Sequence, residues 1–152
     1  MNPVKFSDLS NISVEYFLAE HEKFSTPNFL WLKYSGEYKP GSEGKGDALF
    51  IMASAEAAHK AWYSKGVVFD FTDLEYTWGD EMSWVFGFGY DRVTRCEYPV
   101  AIVVSDKCSD ALKSLEPSEF KTKCVGTEVE ATKMILEKYE TYGLCLKEWK
   151  PK

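Results

Sequence analysis

The chain has 152 residues, enough for one domain with a substantial hydrophobic core, and no second domain is expected. Its formal net charge of −6 argues against a nucleic-acid-binding protein, because that class needs Lys and Arg clustered against phosphate groups. We therefore expect the partner to be another protein that is neutral or basic at the contact.

Targeting signals and cysteine motifs are not recognisable in the sequence. The N-terminus has no basic region followed by an apolar run, and no stretch is long and apolar enough for a transmembrane helix. The cysteines are widely spaced and form no C-x-x-C pair, so neither a zinc site nor a thioredoxin-like motif is predicted. They are Cys96, Cys108, Cys124 and Cys145. The sequence therefore predicts a soluble cytoplasmic protein with reduced thiols, no cofactor or metal and no membrane association.

Three predicted segments make up the N-terminal part of the chain. Apolar residues at helical spacing predict an N-terminal helix over residues 13–24, within an extension that spans residues 1–28. The residues that carry this spacing are Val14, Phe17, Leu18 and His21. Residues 29–38 are rich in aromatic and aliphatic side chains and predict one or two strands, which open a domain spanning residues 29–152. A flexible glycine-rich loop is predicted over residues 39–46.

The central part of the chain combines predicted helices with a predicted strand. Alanine is frequent in residues 47–64 and no helix breaker intervenes, which favours a helix. Residues 67–71 read Val-Val-Phe-Asp-Phe, a β-branched and aromatic run too short for a helix, and they predict a buried strand. A further helix is predicted after Gly79, ending near Tyr90.

The C-terminal third continues the same alternation. Residues 100–105 read Val-Ala-Ile-Val-Val-Ser and predict a buried parallel strand. We then expect a short helix to Leu115, a half-exposed strand over residues 120–125, and a helix from the capping box at residues 127–130 to Tyr142. Right-handed crossovers would join these strands into an α/β fold, a single mostly parallel sheet of about four to five strands with helices packed on it.

The junction between the central strand and the helix after it is the candidate site. Open α/β sheets place their sites at the carboxyl ends of the strands, and this junction combines acids with tryptophans. The predicted partner-binding residues are Asp73, Glu75, Trp78, Asp80, Glu81 and Trp84. Aromatic anchors exclude water at interfaces, while flanking acids steer a basic partner. The alternative interpretation is that the acids stabilise a helix N-terminus and the tryptophans fill the core.

The segment order and three stretches resemble the STAS domains, the fold of anti-sigma-factor antagonists and of sulphate-transporter tails. The stretches are LWLKYSGEY, VVFDFTDL and VAIVVSDKCSDALKSL, and the similarity runs from about Phe29 to Tyr142. In that family a D-S-[ST]-G junction carries a serine whose phosphorylation releases the partner, and the matching position here is Asp80. The resemblance implies a domain that binds a protein, or in some cases a nucleotide, without catalysis. A serine kinase cannot switch a carboxylate.

Three functions are therefore open. The first is a non-enzymatic module that binds and regulates a partner protein, and the second is an immunity protein that masks a bacterial toxin. The third is a Mg²⁺-dependent phosphatase, because FDFTDL is similar to the D-x-D motif of haloacid dehalogenase-like phosphatases. Asp70 would be its nucleophile, with Ser105 at the end of the next strand. Thr72 stands where the second acid of that motif belongs, so we rank the enzyme last and expect no catalytic residue.

Overall fold

The computed structural model describes residues 1–19 and 29–150, in which five strands form one sheet in the order β1-β2-β3-β4-β5. The strands are β1 Ser13–Ala19, β2 Phe29–Glu37, β3 Gly66–Glu75, β4 Val100–Val103 and β5 Cys124–Val125. The α-helices are α1 Lys45–Trp62, α2 Ser109–Leu115, α3 Pro117–Lys123 and α4 Glu128–Glu148. Short 3-10 helices cover Phe6–Asp8, Gly41–Gly44 and Asp80–Gly87.

The sheet is mostly parallel, which confirms the predicted α/β class. Strands β2 to β5 run parallel to one another, and β1 is antiparallel to its neighbour β2. The crossovers between the parallel strands carry α1, the Asp80–Gly87 helix and the pair α2–α3, so helices cover the sheet. The carboxyl ends of β2, β3 and β4 consequently meet at one edge of the molecule.

The predicted central strand is β3, and its sequence explains its position. Residues 66–70 are buried together with Phe71, because β3 has neighbouring strands on both sides and helices on both faces. Alternate side chains enter two separate cores. Phe69 packs in the larger core with α1 and α2, whereas Val68 packs in the smaller core under α4.

The predicted N-terminal helix is wrong for the residues that the structure describes. Ser13 to Ala19 form β1, which pairs residue by residue with β2 from Ser13 opposite Ser35 to Ala19 opposite Phe29. The spacing of Val14, Phe17 and Leu18 fits a helix equally well, but a strand gains a full ladder of backbone hydrogen bonds from β2. The rest of that prediction, including His21, lies outside the described residues.

Two further elements differ from the predictions in the C-terminal third. Residues 120–123 belong to α3, which begins at Pro117, and only Cys124 and Val125 form a strand. Proline is favourable in the first turn of a helix, so it starts α3 rather than only ending α2. Helix α4 starts as predicted, with the Thr127 side chain accepting from the Glu130 N–H, but it continues through Gly143 to Glu148. Among the described residues, no helix is long and apolar enough to cross a bilayer.

The prediction of four reduced thiols is wrong for two of them. Cys96 and Cys145 form a disulfide that links the segment before β4 to the last turns of α4, with 5.8 Å between their Cα atoms. Cys108 and Cys124 are free. A separation of 49 residues in the chain gives no sign of this pairing, because only the packing of α4 back along the molecule brings the two residues together.

Candidate functional site

Trp78 follows β3 and is held in place by a glycine rather than by burial. Its indole lies against Gly41, where an added Cβ would come within 2.5 Å of the ring. Gly41 has a positive φ of 58°, and its N–H donates to the Trp78 carbonyl at 3.4 Å. The loop predicted as flexible therefore contains a 3-10 turn packed on the indole. Trp78 is nevertheless 61% exposed, so it offers a fixed aromatic surface to solvent.

Two buried tyrosines support the backbone beneath this tryptophan. The rings of Tyr38 and Tyr76 meet edge to face at 5.2 Å, and the Tyr76 hydroxyl donates to the Gly79 carbonyl at 3.0 Å. Burial, with the nearby Asp80, raises the pKa of Tyr76 to about 12. Burial, with Glu81 as the next cause, also raises the pKa of Tyr38, whose hydroxyl has no hydrogen-bond partner among the described residues. Gly79 has φ 149° and lies too close to Tyr38 for a side chain.

A groove of about 690 Å³ opens between this junction and α2. One wall is formed by residues 76–80, the other by α2, and the loop after β4 closes the end. The side chains that carry its chemistry are Trp78, Asp80, Asp106, Asp110, Ala111 and Leu115. The segments that follow β3 and β4 therefore place an exposed indole, three carboxylates and two apolar side chains around one concave surface.

The three carboxylates of the groove are free of internal partners. Asp80, Asp106 and Asp110 are exposed, and none of their carboxylates has a hydrogen bond or ion pair with a described residue. The cation among the groove residues is Lys107, whose Nζ lies 3.8 Å from Asp73 Oδ1. The groove is consequently acidic, and its negative charge is available to a molecule from outside.

Asp73 and Glu75 differ from the groove acids because they belong to β3 itself. Asp73 accepts from Lys33 Nζ at 2.8 Å, and this hydrogen bond is the main reason why its pKa lies below the ordinary value. Glu75 is exposed, and its carbonyl accepts the Tyr38 N–H at 2.9 Å. Neither residue lines the groove. Asp73 joins β2, β3 and the loop after β4 at the sheet edge, which is a structural role.

Glu81 and Trp84 lie one turn apart on the 3-10 helix Asp80–Gly87 and do not line the groove either. No side chain caps this helix, but Asp80 and Glu81 stand in its first turn, where the alternative interpretation places acids that stabilise a helix N-terminus. The buried residues of the helix are Met82, Val85 and Phe86, whereas Trp84 is 39% exposed. Trp78 and Trp84 are thus not core residues. Of the six predicted binding residues, Trp78 and Asp80 share the groove.

Asp70, the nucleophile of the phosphatase alternative, is engaged within the sheet. Its carboxylate accepts from Trp31 Nε1 at 3.1 Å and from the N–H and hydroxyl of Thr72 at 3.0 and 2.6 Å. Ser105 donates to the Thr72 carbonyl at 2.9 Å. Asp70 is only 9% exposed, so these bonds satisfy a buried carboxylate. Across residues 1–19 and 29–150, no three His, Cys, Asp or Glu side chains are grouped to hold a metal ion.

Sequence reasoning missed the second wall of the groove. Asp106 and Asp110 follow β4 as Asp73 and Glu75 end β3, and parallel neighbouring strands deliver their carboxyl ends to the same edge. That rule, applied to both predicted strands, would have identified these acids. His59 Nδ1 and the buried Ser64 hydroxyl are hydrogen-bonded at 2.8 Å, a contact for which the sequence gives no signal.

Comparison with known proteins gives no match, either among protein-family models or among curated proteins. The resemblance to STAS domains therefore stays a prediction.

Proposed function

We propose that this protein is a non-enzymatic, STAS-like module that binds a partner protein stoichiometrically through the acidic groove beside Trp78. The observation that carries the proposal is the large exposed indole, fixed against Gly41 at the mouth of a groove with three unpaired carboxylates. Tryptophan is among the residues that dominate binding energy at interfaces, and a fixed one loses little conformational entropy on binding.

The charge of the groove indicates which surface the partner presents. Unpaired acids accelerate encounter with a basic protein and disfavour an acidic one. Asp80 occupies the position that matches the switchable serine of STAS domains, so we expect this contact to be permanent rather than released by a kinase. Regulation of a partner is the first version of this proposal.

An immunity protein is the second version, and the unpaired acids favour it in one respect. Toxins that act on nucleic acids need Lys and Arg at their active clefts, and an acidic groove is complementary to such a surface. Both versions use the same residues, and the identity of the captured protein separates them.

Affinity capture with the purified full chain tests the proposal. Trp78→Ala and Asp80→Lys should each weaken binding of the identified partner at least about tenfold, measured with both purified proteins by calorimetry. Trp62→Ala is the matched aromatic control, because Trp62 is 43% exposed and packs on Tyr16 away from the groove residues. Glu148→Lys is the matched charge control. Equal affinity of all four variants would contradict the proposal.

The enzymatic alternative has its own measurement. Purified protein with Mg²⁺ and a chromogenic phosphate ester should show no turnover above background. Turnover that disappears in Asp70→Asn, while circular dichroism shows an unchanged fold, would favour the phosphatase.

A further inference from the structure

We propose that the group which the groove receives from its partner is an arginine side chain, with its guanidinium stacked on Trp78 and hydrogen-bonded to the carboxylates of Asp80 and Asp110. This inference rests on the proposed function, because it names the chemistry of the partner at the same site.

The groove acids differ from several other acids near the sheet in that their carboxylates have no internal donor among the described residues. Asp70 and Asp73 are both hydrogen-bonded, the first to Trp31 and Thr72 and the second to Lys33. Glu97 and Glu119 each lie 2.8 Å from Lys123 Nζ. These carboxylates have internal donors. The carboxylates of Asp80, Asp106 and Asp110 have no donor in the described part of the chain, which is also true of those of the exposed Glu37 and Glu75. Unlike those two residues, they line one groove, where a single cation from outside would face several carboxylates.

The exposed indole of Trp78 favours an arginine over a lysine. An indole face attracts a cation, and the effect strengthens when water is excluded. Arginine suits this combination better than lysine, because its guanidinium is planar, weakly hydrated and able to stack on the ring while its edges donate to carboxylates. The contact with Gly41 fixes the ring and leaves most of its surface free for such stacking.

Part of the groove lining is apolar. Ala111 and Leu115 of α2 line the groove together with the carboxylates and are only partly buried. The methylene stem of arginine covers apolar surface of this kind while its head reaches a polar rim. Aliphatic neighbours in the partner segment would extend this contact. A segment with an arginine between two leucines therefore matches the groove in charge and in polarity.

Three matched peptides test the inference: acetyl-Gly-Leu-Xaa-Leu-Gly-amide with arginine, lysine or citrulline as Xaa. Citrulline keeps the shape of arginine and removes its charge. Each peptide is titrated into the full ¹⁵N-labelled chain up to about 10 mM, because a contact of this size binds in the millimolar range. The arginine peptide should shift the Trp78 indole N–H, identified with Trp78→Phe, and the amides of residues 106–115.

Binding should be at least about tenfold weaker for citrulline and several-fold weaker for lysine. Asp110→Asn should also weaken it several-fold, whereas Glu148→Gln should leave it unchanged. Shifts confined to other regions, no shift at 10 mM, or equal binding of arginine with either analogue would overturn the inference. If Trp78→Ala weakens partner binding as expected while the peptides fail, the proposed function stands and only the arginine assignment falls. If Trp78→Ala also leaves partner binding unchanged, both the proposed function and the arginine assignment are rejected.

Discussion

Two acidic regions of this molecule use carboxylates in opposite ways. In the lysine cluster, defined as Glu97, Glu119 and Lys123, two acids meet one lysine whose side chain is only 8% exposed. In the groove, Asp80, Asp106 and Asp110 surround an open cavity with no internal cation paired to them. Burial lowers the pKa of Lys123, but its hydrogen bonds to Glu119 and Glu97 outweigh burial and raise it above the ordinary value.

The difference separates acids that stabilise the fold from acids that are available for binding. Lys123 also donates to the Phe86 carbonyl, so the lysine cluster connects α3 to the 3-10 helix and to the segment before β4. Changes in this region should alter stability and spare binding. Changes in the groove should weaken binding and leave stability unchanged. Three variants test this division.

The largest effect on stability is expected next to the lysine cluster, from loss of the Cys96–Cys145 disulfide. Cys145→Ser opens a loop of 49 residues and should lower the free energy of unfolding by about 2–4 kcal/mol, because the unfolded chain regains conformational freedom. Urea denaturation measures the change. The wild-type protein in excess reductant is the control and should approach the same midpoint. An unchanged midpoint in both would show that the disulfide does not stabilise this region.

Lys123→Met should have the next largest effect. The substitution keeps the apolar stem but removes the charge between Glu97 and Glu119, and it leaves the Phe86 carbonyl without its donor. We expect a loss of about 2–3 kcal/mol, below the usual cost of breaking a buried ion pair, because both glutamates are partly exposed. Arginine-peptide binding should not change. If Lys123→Met weakened arginine-peptide binding, the lysine cluster and the groove would not be independent.

Acidification provides a control for that variant. Burial raises the pKa of Glu97, but its hydrogen bond and charge interaction with Lys123 outweigh burial and leave the pKa below its ordinary value. Its contribution to stability is therefore present above the ordinary glutamate pKa and is lost as pH falls through the lowered value. Lys123→Met should show a smaller loss of stability over this acidic range than the wild type.

The smallest effect on stability is expected in the groove. Replacing Asp80, Asp106 and Asp110 together by Asn removes like charges without breaking an internal contact, so the free energy of unfolding should change by less than about 0.5 kcal/mol. The same variant should bind the arginine peptide at least about tenfold more weakly. A destabilisation above about 2 kcal/mol would assign these acids to the fold and not to a partner.

The elements that sequence reasoning predicted well are those in which one local signal dominates. Alanine content places α1, and the apolar runs around Phe69 and Ile102 place β3 and β4. The N-terminal helix was wrong because the helical spacing of Val14, Phe17 and Leu18 is a local signal, whereas the strand depends on pairing with β2. The disulfide was missed for a similar reason, since the docking of α4 brings Cys145 to Cys96.

Sequence reasoning predicted one of the two walls of the groove. The strand-end rule, applied to β3, found Trp78 and Asp80, but the groove needs a second wall from α2. Contacts such as that of Gly41 with Trp78 join residues far apart in sequence, and no local pattern indicates them. The sequence reveals which residue types are present at the edge, whereas the packing reveals which carboxylates remain unpaired.

The pairing of β1 has a practical consequence for fragments of this protein. A shortened chain that starts at Phe29 would lose β1 and leave the backbone N–H and C=O groups along one side of β2 unsatisfied. Such an edge is a template for adding a strand from another molecule, and β2 is rich in apolar side chains. Recombinant fragments cut at this point would therefore self-associate through sheet extension, and their aggregation would report the loss of a protective strand rather than a property of the groove.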